Sequence, residues 1–150
     1  MPIRTFSLSV GLLYIALGVC GFIDALKVQP WSTVIVRNTG SYSGSDWGRA
    51  EWLFLCLPVT PAKNVLGLLI GAAGVLAAAS PTTGRLYCQG LCALTGFLAL
   101  LGLLPGDLNS LWGFLPLGGG NLALHIITAS AAFYFGWVYG FDAERDVELA

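Results

Sequence analysis

The chain has 150 residues, of which 56% are hydrophobic and only 10% charged, with 20 glycines and a net charge of −1 at pH 7. An ordinary soluble domain carries about 25% charged residues, so a water-facing globule of this composition, with a mean hydropathy of +0.77, lacks the polar surface to cover itself. Seven basic and eight acidic residues, with no dense basic cluster, leave no footprint for a nucleic-acid partner.

The first predicted element is an apolar run over Phe6–Leu26, preceded by Arg4. It is long for a signal core of about 7–15 residues and suits a span of about 20, so it reads as a retained transmembrane helix. The segment 27–63 is long for a connection and therefore a candidate for function or partial structure. Within it Ser32–Val36 is β-prone, 37–46 is turn-rich, and Glu51–Pro58 is apolar but too short to span. Trp31, Trp47 and Trp52 are its expected interface anchors. A second span is expected over Asn64–Ala79, reaching the needed length if the helix extends back through Pro61–Lys63. Ser80–Arg85 reads as a tight turn to an antiparallel third span over Leu86–Leu104. Leu108–Leu117 repeats the interfacial segment with Trp112, Gly118–Gly120 a turn, and Asn121–Tyr139 the fourth span. Asp142, Glu144, Asp146 and Glu148 form a short acidic tail.

The expected fold is an all-α membrane protein, a four-transmembrane-helix bundle forming one domain. Helices are the open-chain solution in lipid because backbone groups must be satisfied within the segment. Four spans put both termini on one side, and Arg4 and Arg85 near span ends point to cytoplasmic termini.

One pattern occurs twice. Trp52-Leu53-Phe54, Leu57-Pro58 and Asn64 open one apolar run; Trp112-Gly113-Phe114, Leu115-Pro116 and Asn121 open another. The bundle therefore reads as two tandem helix-loop-helix repeats running in the same direction. This order resembles the small bacterial four-span membrane proteins catalogued as domain of unknown function 4383. The resemblance implies a Leu-Pro, Asn and His sequence at the heads of the second and fourth helices. The second copy supplies Leu115-Pro116, Asn121 and His125, with an Asn-to-His spacing of four instead of three. The first has Gly67 where the histidine is expected. The family brings no established chemistry with it.

His125 is the only histidine. By spacing it shares a helix face with Asn121 and Thr128, continued by the small residues Ala132 and Gly136. Such a polar stripe can hydrogen-bond across the bundle, and an ionisable group at membrane depth is also a candidate functional site. A free imidazole nitrogen could ligate chlorophyll or another pigment, with Asn121 beside it. Asp24 lies near a span end on the same side, so a contact with His125 stays open. Gly11, Gly18, Gly67, Gly71, Gly74, Gly90 and Gly96 are the expected helix-packing positions, because small residues let helices approach closely. Cys20, Cys56, Cys88 and Cys92 lack a disulfide or zinc spacing. Neither a phosphate-cradling loop nor a plausible Ser/His/Asp set occurs: Ser130 and His125 point to different faces.

The resulting expectation is a non-catalytic small integral membrane protein, an accessory or scaffold subunit packing against a larger membrane complex. Its partners are the lipid bilayer and other membrane proteins, and its location a bacterial inner membrane. Two alternatives stand beside it. One is a pigment- or cofactor-associated subunit of a photosynthetic or respiratory complex, in a thylakoid membrane if photosynthetic, with His125 as ligand. The other is a small transporter or channel, whose polar path would use Asn64, Thr95, Asn121, His125 and Thr128.

Overall fold

The structure is a computed structural model, describing residues 2–28, 51–54, 56–111 and 114–139. The expected anchors Trp31, Trp47 and Trp112, the β-prone segment 32–36, the turn-rich segment 37–46 and the acidic tail lie outside the described residues.

Helix α1 spans Pro2–Cys20 and buries Ile3, Ser7, Gly11, Tyr14 and Gly18, a single face at helical spacing. Helix α2 spans Pro61–Ala77. Thr60 caps it by accepting the Lys63 backbone N–H, and Pro61 occupies the first turn, where its missing N–H costs nothing. Helix α3 spans Pro81–Leu103, with Ser80 capping it in the same way through the Thr83 N–H. Helix α4 spans Gly120–Phe133 and continues through a π-helical turn over Tyr134–Val138.

Three helices, Pro2–Cys20, Pro81–Leu103 and Gly120–Val138, are long and apolar enough to cross a membrane. The fourth, Pro61–Ala77, is apolar but shorter.

Several sequence expectations need correction. The first helix lies some residues earlier than expected: it ends at Cys20, and Asp24–Leu26 form a separate 3-10 turn. Gly21, just after the helix, sits against the Asn64 side chain, where a Cβ would collide. Ser80–Arg85 is no turn: the capped helix starts at Pro81, leaving only 78–80 as the connection. Glu51–Pro58 is not merely an interfacial strip. Lys27–Val28 (β1), Glu51–Leu53 (β2) and Leu57–Val59 (β3) form an antiparallel sheet in the order β1-β2-β3. Its register pairs Lys27 with Leu53 and Trp52 with Pro58. The fold is thus mostly helical with a small sheet at one end.

The helices alternate in direction. Gly11 lies against Gly71 and Gly74, whereas Gly18 lies against Asn64 and Leu68, so α1 and α2 are antiparallel. The most extensive contacts join α1 to α2 and α3 to α4. At the end of the bundle where α1 starts, Arg4 Nε donates to the Ala78 carbonyl (2.8 Å) beyond α2, and Arg85 Nε donates to the Gly136 carbonyl (3.2 Å) of α4. Each arginine, in the first turns of α1 or α3, therefore meets carbonyls at the end of the helix paired with its own. The sheet lies at the opposite end.

The α1–α2 contact depends on missing side chains. A Cβ on Gly71 would stand 2.6 Å from the Gly11 carbonyl oxygen, and one on Gly11 would stand 2.8 Å from that of Gly71. Gly90 and Gly96 behave differently: among the described residues nothing lies within 4 Å of a Cβ at either, so neither makes a helix contact with them. Gly84, Gly102 and Gly136 on α3 and α4 do meet close neighbours.

The interior mixes an apolar core around Tyr14, Ile70, Leu91 and Ala132 with buried polar side chains, while the outside is richly apolar. Ser7, Thr95, Asn121, His125 and Thr128 are buried, whereas Leu69, Leu76, Leu86, Leu100 and Ile127 are exposed. Apolar surface of that extent marks contact with lipid or with another protein.

Gly71→Ala is expected to lower unfolding stability by about 1–3 kcal/mol through overpacking. Gly96→Ala is expected to leave it unchanged or raise it by about 0.5–1 kcal/mol, because helix propensity improves where space is open. Thermal or SDS titration of the detergent-solubilised variants measures both.

Candidate functional site

At the sheet end of the bundle, two non-helical segments each lead into a helix: strand β3 with Thr60 into α2, and a turn-and-bend segment over 114–119 into α4. Pro58 lies on β3, an edge strand of the sheet, and Pro116 lies outside any helix or strand, so carbonyl oxygens here have no ladder partner and need donors. Asn121, fully buried in the first turn of α4, supplies two of them. Its amide nitrogen donates to the Pro58 carbonyl (2.8 Å) and to the Pro116 carbonyl (2.7 Å). One side chain thereby ties together the Leu-Pro segments of both halves.

The tie is reciprocal. Thr60, capping α2, donates its hydroxyl to the Phe114 carbonyl (2.9 Å) in the segment ahead of α4. Lys63 Nζ donates to the Asn121 side-chain oxygen and to the Pro58 carbonyl (3.4 Å). Gly120 closes the joint, since a Cβ there would run into the Cys56 carbonyl oxygen. Gly119 ahead of it adopts φ +63°, a conformation that favours glycine.

His125, one turn further along α4, is 4% exposed, and its Nδ1 has no hydrogen-bond partner among the described residues. It lines a cavity of about 40 Å³ whose walls come from α1, α2, α4 and the sheet and include Tyr14, Lys63 and Asn64. Tyr14 donates its hydroxyl to Thr128 (3.2 Å), linking α1 to α4. Asn121, His125, Thr128, Ala132 and Gly136 are all buried along one face of α4 and its π-helical turn.

Asp24 and His125 are not partners. Asp24, 93% exposed, pairs with Lys27 Nζ at 2.7 Å, and Glu51 pairs with the same ammonium at 2.5 Å. First Asp24 and then Glu51 hold the Lys27 pKa above the usual lysine value. Trp52, the one expected anchor among the described residues, is half-buried on β2.

Asn64 is buried near the head of α2. The other polar candidates serve different neighbours. Thr95 donates its hydroxyl to the Leu91 carbonyl of its own helix (2.7 Å), and Ser130 does likewise to Ile126 (2.8 Å). Among the described residues no group of three or more His, Cys, Asp or Glu could hold a metal ion. All four cysteines are free.

Sequence reading overlooked Thr60, Lys63 and Gly120. Thr60-Pro61 does carry the signature of a capped helix start. Nothing local marks Lys63 or Gly120, whose partners Asn121 and Cys56 lie far away in the chain.

A mostly helical chain with three helices fit to cross a membrane, and with its polar groups turned inward, has the features of a membrane-embedded helical protein. Residues 4–138 match the family described as Domain of unknown function (DUF4383), and the chain belongs to that family. No curated protein and no solved structure matches it.

Asn121→Ala is expected to cost about 2–5 kcal/mol of stability, since it strips donors from two carbonyls and an acceptor from Lys63. Ser130→Ala, at an exposed position, is expected to change stability by no more than about 0.5 kcal/mol. Parallel thermal unfolding of the two purified variants makes the comparison.

Proposed function

We propose that the protein is a four-span integral membrane protein, built from two tandem helix-loop-helix units, that works without catalysis as an accessory or scaffold subunit of a larger membrane complex. The observation that carries this reading is the apolar outer surface around an interior that also holds polar side chains. The buried polar groups largely bond within the chain, while the outward faces of the helices are Leu, Ile and Phe. Such a surface offers lipid and apolar helix faces to its surroundings and little else.

The tandem reading is supported by the matched roles of Arg4 and Arg85, and by the exchange in which Thr60 reaches the second segment and Asn121 the first. At 17 residues, α2 is about 26 Å long, close to the roughly 30 Å of a bilayer core. On α3, the open space at Gly90 and Gly96 lies beside exposed Leu94 and Phe97, where a foreign helix could approach closely. The proposed setting is a bacterial inner membrane with both termini in the cytoplasm.

The pigment reading has one observation in its favour, the unpartnered Nδ1 of buried His125. Against it, a cavity of about 40 Å³ is far smaller than the roughly 300 Å³ or more that a drug-sized ligand needs, so a tetrapyrrole has no room there. The transporter reading needs a continuous polar path, and Thr95, Thr128 and Asn121 each bond to a different neighbour instead.

Mild-detergent pull-down of the tagged protein from its native membrane, followed by native electrophoresis, tests the proposal. Co-migration with one defined set of membrane proteins is the expected result; a solitary monomer would sink it. A coloured preparation whose visible absorption is lost in His125→Ala would instead favour the pigment reading.

A further inference from the structure

We infer that the cavity between α1, α2, α4 and the sheet seats a short stretch of hydrocarbon, a methylene segment of one phospholipid acyl chain that enters between α2 and α4. The inference rests on the proposed membrane-spanning arrangement and is independent of any partner complex.

The chemistry of the wall is the first ground. Leu17 of α1, Leu53 and Val59 of the sheet, Leu66 and Ile70 of α2 and Leu124 of α4 make up much of it. The wall is almost wholly apolar, so Lys63, Asn64 and His125 present chiefly carbon to it. Polar ends nearby are engaged elsewhere: Lys63 Nζ donates to the Pro58 carbonyl and to Asn121, and the Tyr14 hydroxyl donates to Thr128. A buried water needs about two to four polar partners, and this wall supplies almost none. Side chains around an empty space forgo dispersion contacts, which a hydrocarbon guest restores.

The second ground is the route in. Helix α2 packs mainly on α1, and α4 on α3. Helices α2 and α4 are joined at their heads through Thr60 and Asn121 but share no extensive contact along their length. The sheet covers the head of the gap between them, with Leu53 and Val59 buried there. Leu66 of α2 and Leu124 of α4 line the cavity and are also half-exposed. Three residues further along the same helices, Leu69 and Ile127 are 63% and 67% exposed. Positions i and i+3 are neighbours on a helix surface. Apolar side chains therefore run without a break from the outer surface to the cavity.

Size sets how much of a lipid enters. A volume of about 40 Å³, against the roughly 10–15 Å³ that admits one water-sized group, holds roughly three such groups. That is a few methylenes and no headgroup. A flexible chain can insert that much of itself and leave the rest in the bilayer.

The test is native mass spectrometry of the full-length protein in mild detergent after addition of palmitoyl-oleoyl phosphatidylcholine. The wild type is expected to retain one lipid. Leu66→Trp, which fills the cavity, is expected to weaken that binding by about tenfold or more. Leu69→Trp, at an exposed position of the same helix, is expected to leave it unchanged. Xenon-pressurised crystals of the wild type should hold xenon in the cavity. Failure of the wild type to retain lipid would overturn the inference, as would equal retention by Leu66→Trp. So would crystals in which a side chain from residues 29–50 occupies the cavity in place of xenon. Should Leu66→Trp fail to fold, the xenon site decides, and its absence counts against the cavity. Alkaline carbonate extraction of native membranes tests the spanning arrangement separately: a protein that resists extraction yet retains no lipid removes this inference alone.

Discussion

Two proline carbonyls at one end of a helical bundle need hydrogen-bond donors, and the side chain that satisfies both is Asn121. An edge strand or an irregular segment entering a membrane-type bundle creates this problem where it meets a helix, since carbonyls there lack a ladder partner. A carboxamide is well suited to the task. It offers two N–H donors at a fixed angle and still accepts a third bond, here from Lys63. With Asn121 in place the segments ahead of α2 and α4 cannot move independently, and Thr60 reinforces the tie from the other side.

A second constraint sets the middle of the bundle. Without a hydrophobic drive between helices in lipid, close backbone approach has to supply the attraction. Gly11 against Gly71 and Gly74 allows that approach for α1 and α2. Stacked Phe6 and Phe135, 4.4 Å between ring centroids, join the outer helices α1 and α4. Polar side chains in the interior bond partly to backbone carbonyls, as Thr95 does, and partly to one another across helices, as Tyr14 does to Thr128 and Lys63 to Asn121.

Family membership was legible in the order of Leu-Pro, Asn and His, and the helical character was legible in long apolar runs with few charges. Helix limits were less so. The first helix stops at Cys20 although the sequence is largely apolar to Leu26; Gly21, just beyond its end, packs against the Asn64 side chain, a contact between residues more than 40 positions apart. The sheet was missed for a similar reason: strands of two and three residues carry almost no periodic signal, and their pairing joins residues 27–28 to 51–53 across a long connection. Glycine alone also proved ambiguous. Gly71 and Gly96 look alike in sequence, yet among the described residues only Gly71 of the two meets another backbone.

The sequence by itself determined the solvent this chain suits, the presence of long apolar helices and the family, since composition and local order carry all three. It also marked His125 and Asn121 as the polar residues of the last helix. Only the tertiary structure decided what they face. Asn121 reaches carbonyls from two distant segments, and His125 shares a cavity with Lys63, a residue that no local pattern singles out. Those juxtapositions arise from how four helices and a sheet close around one another, and hydrogen-bond geometry between remote parts of a chain leaves no trace in local spacing.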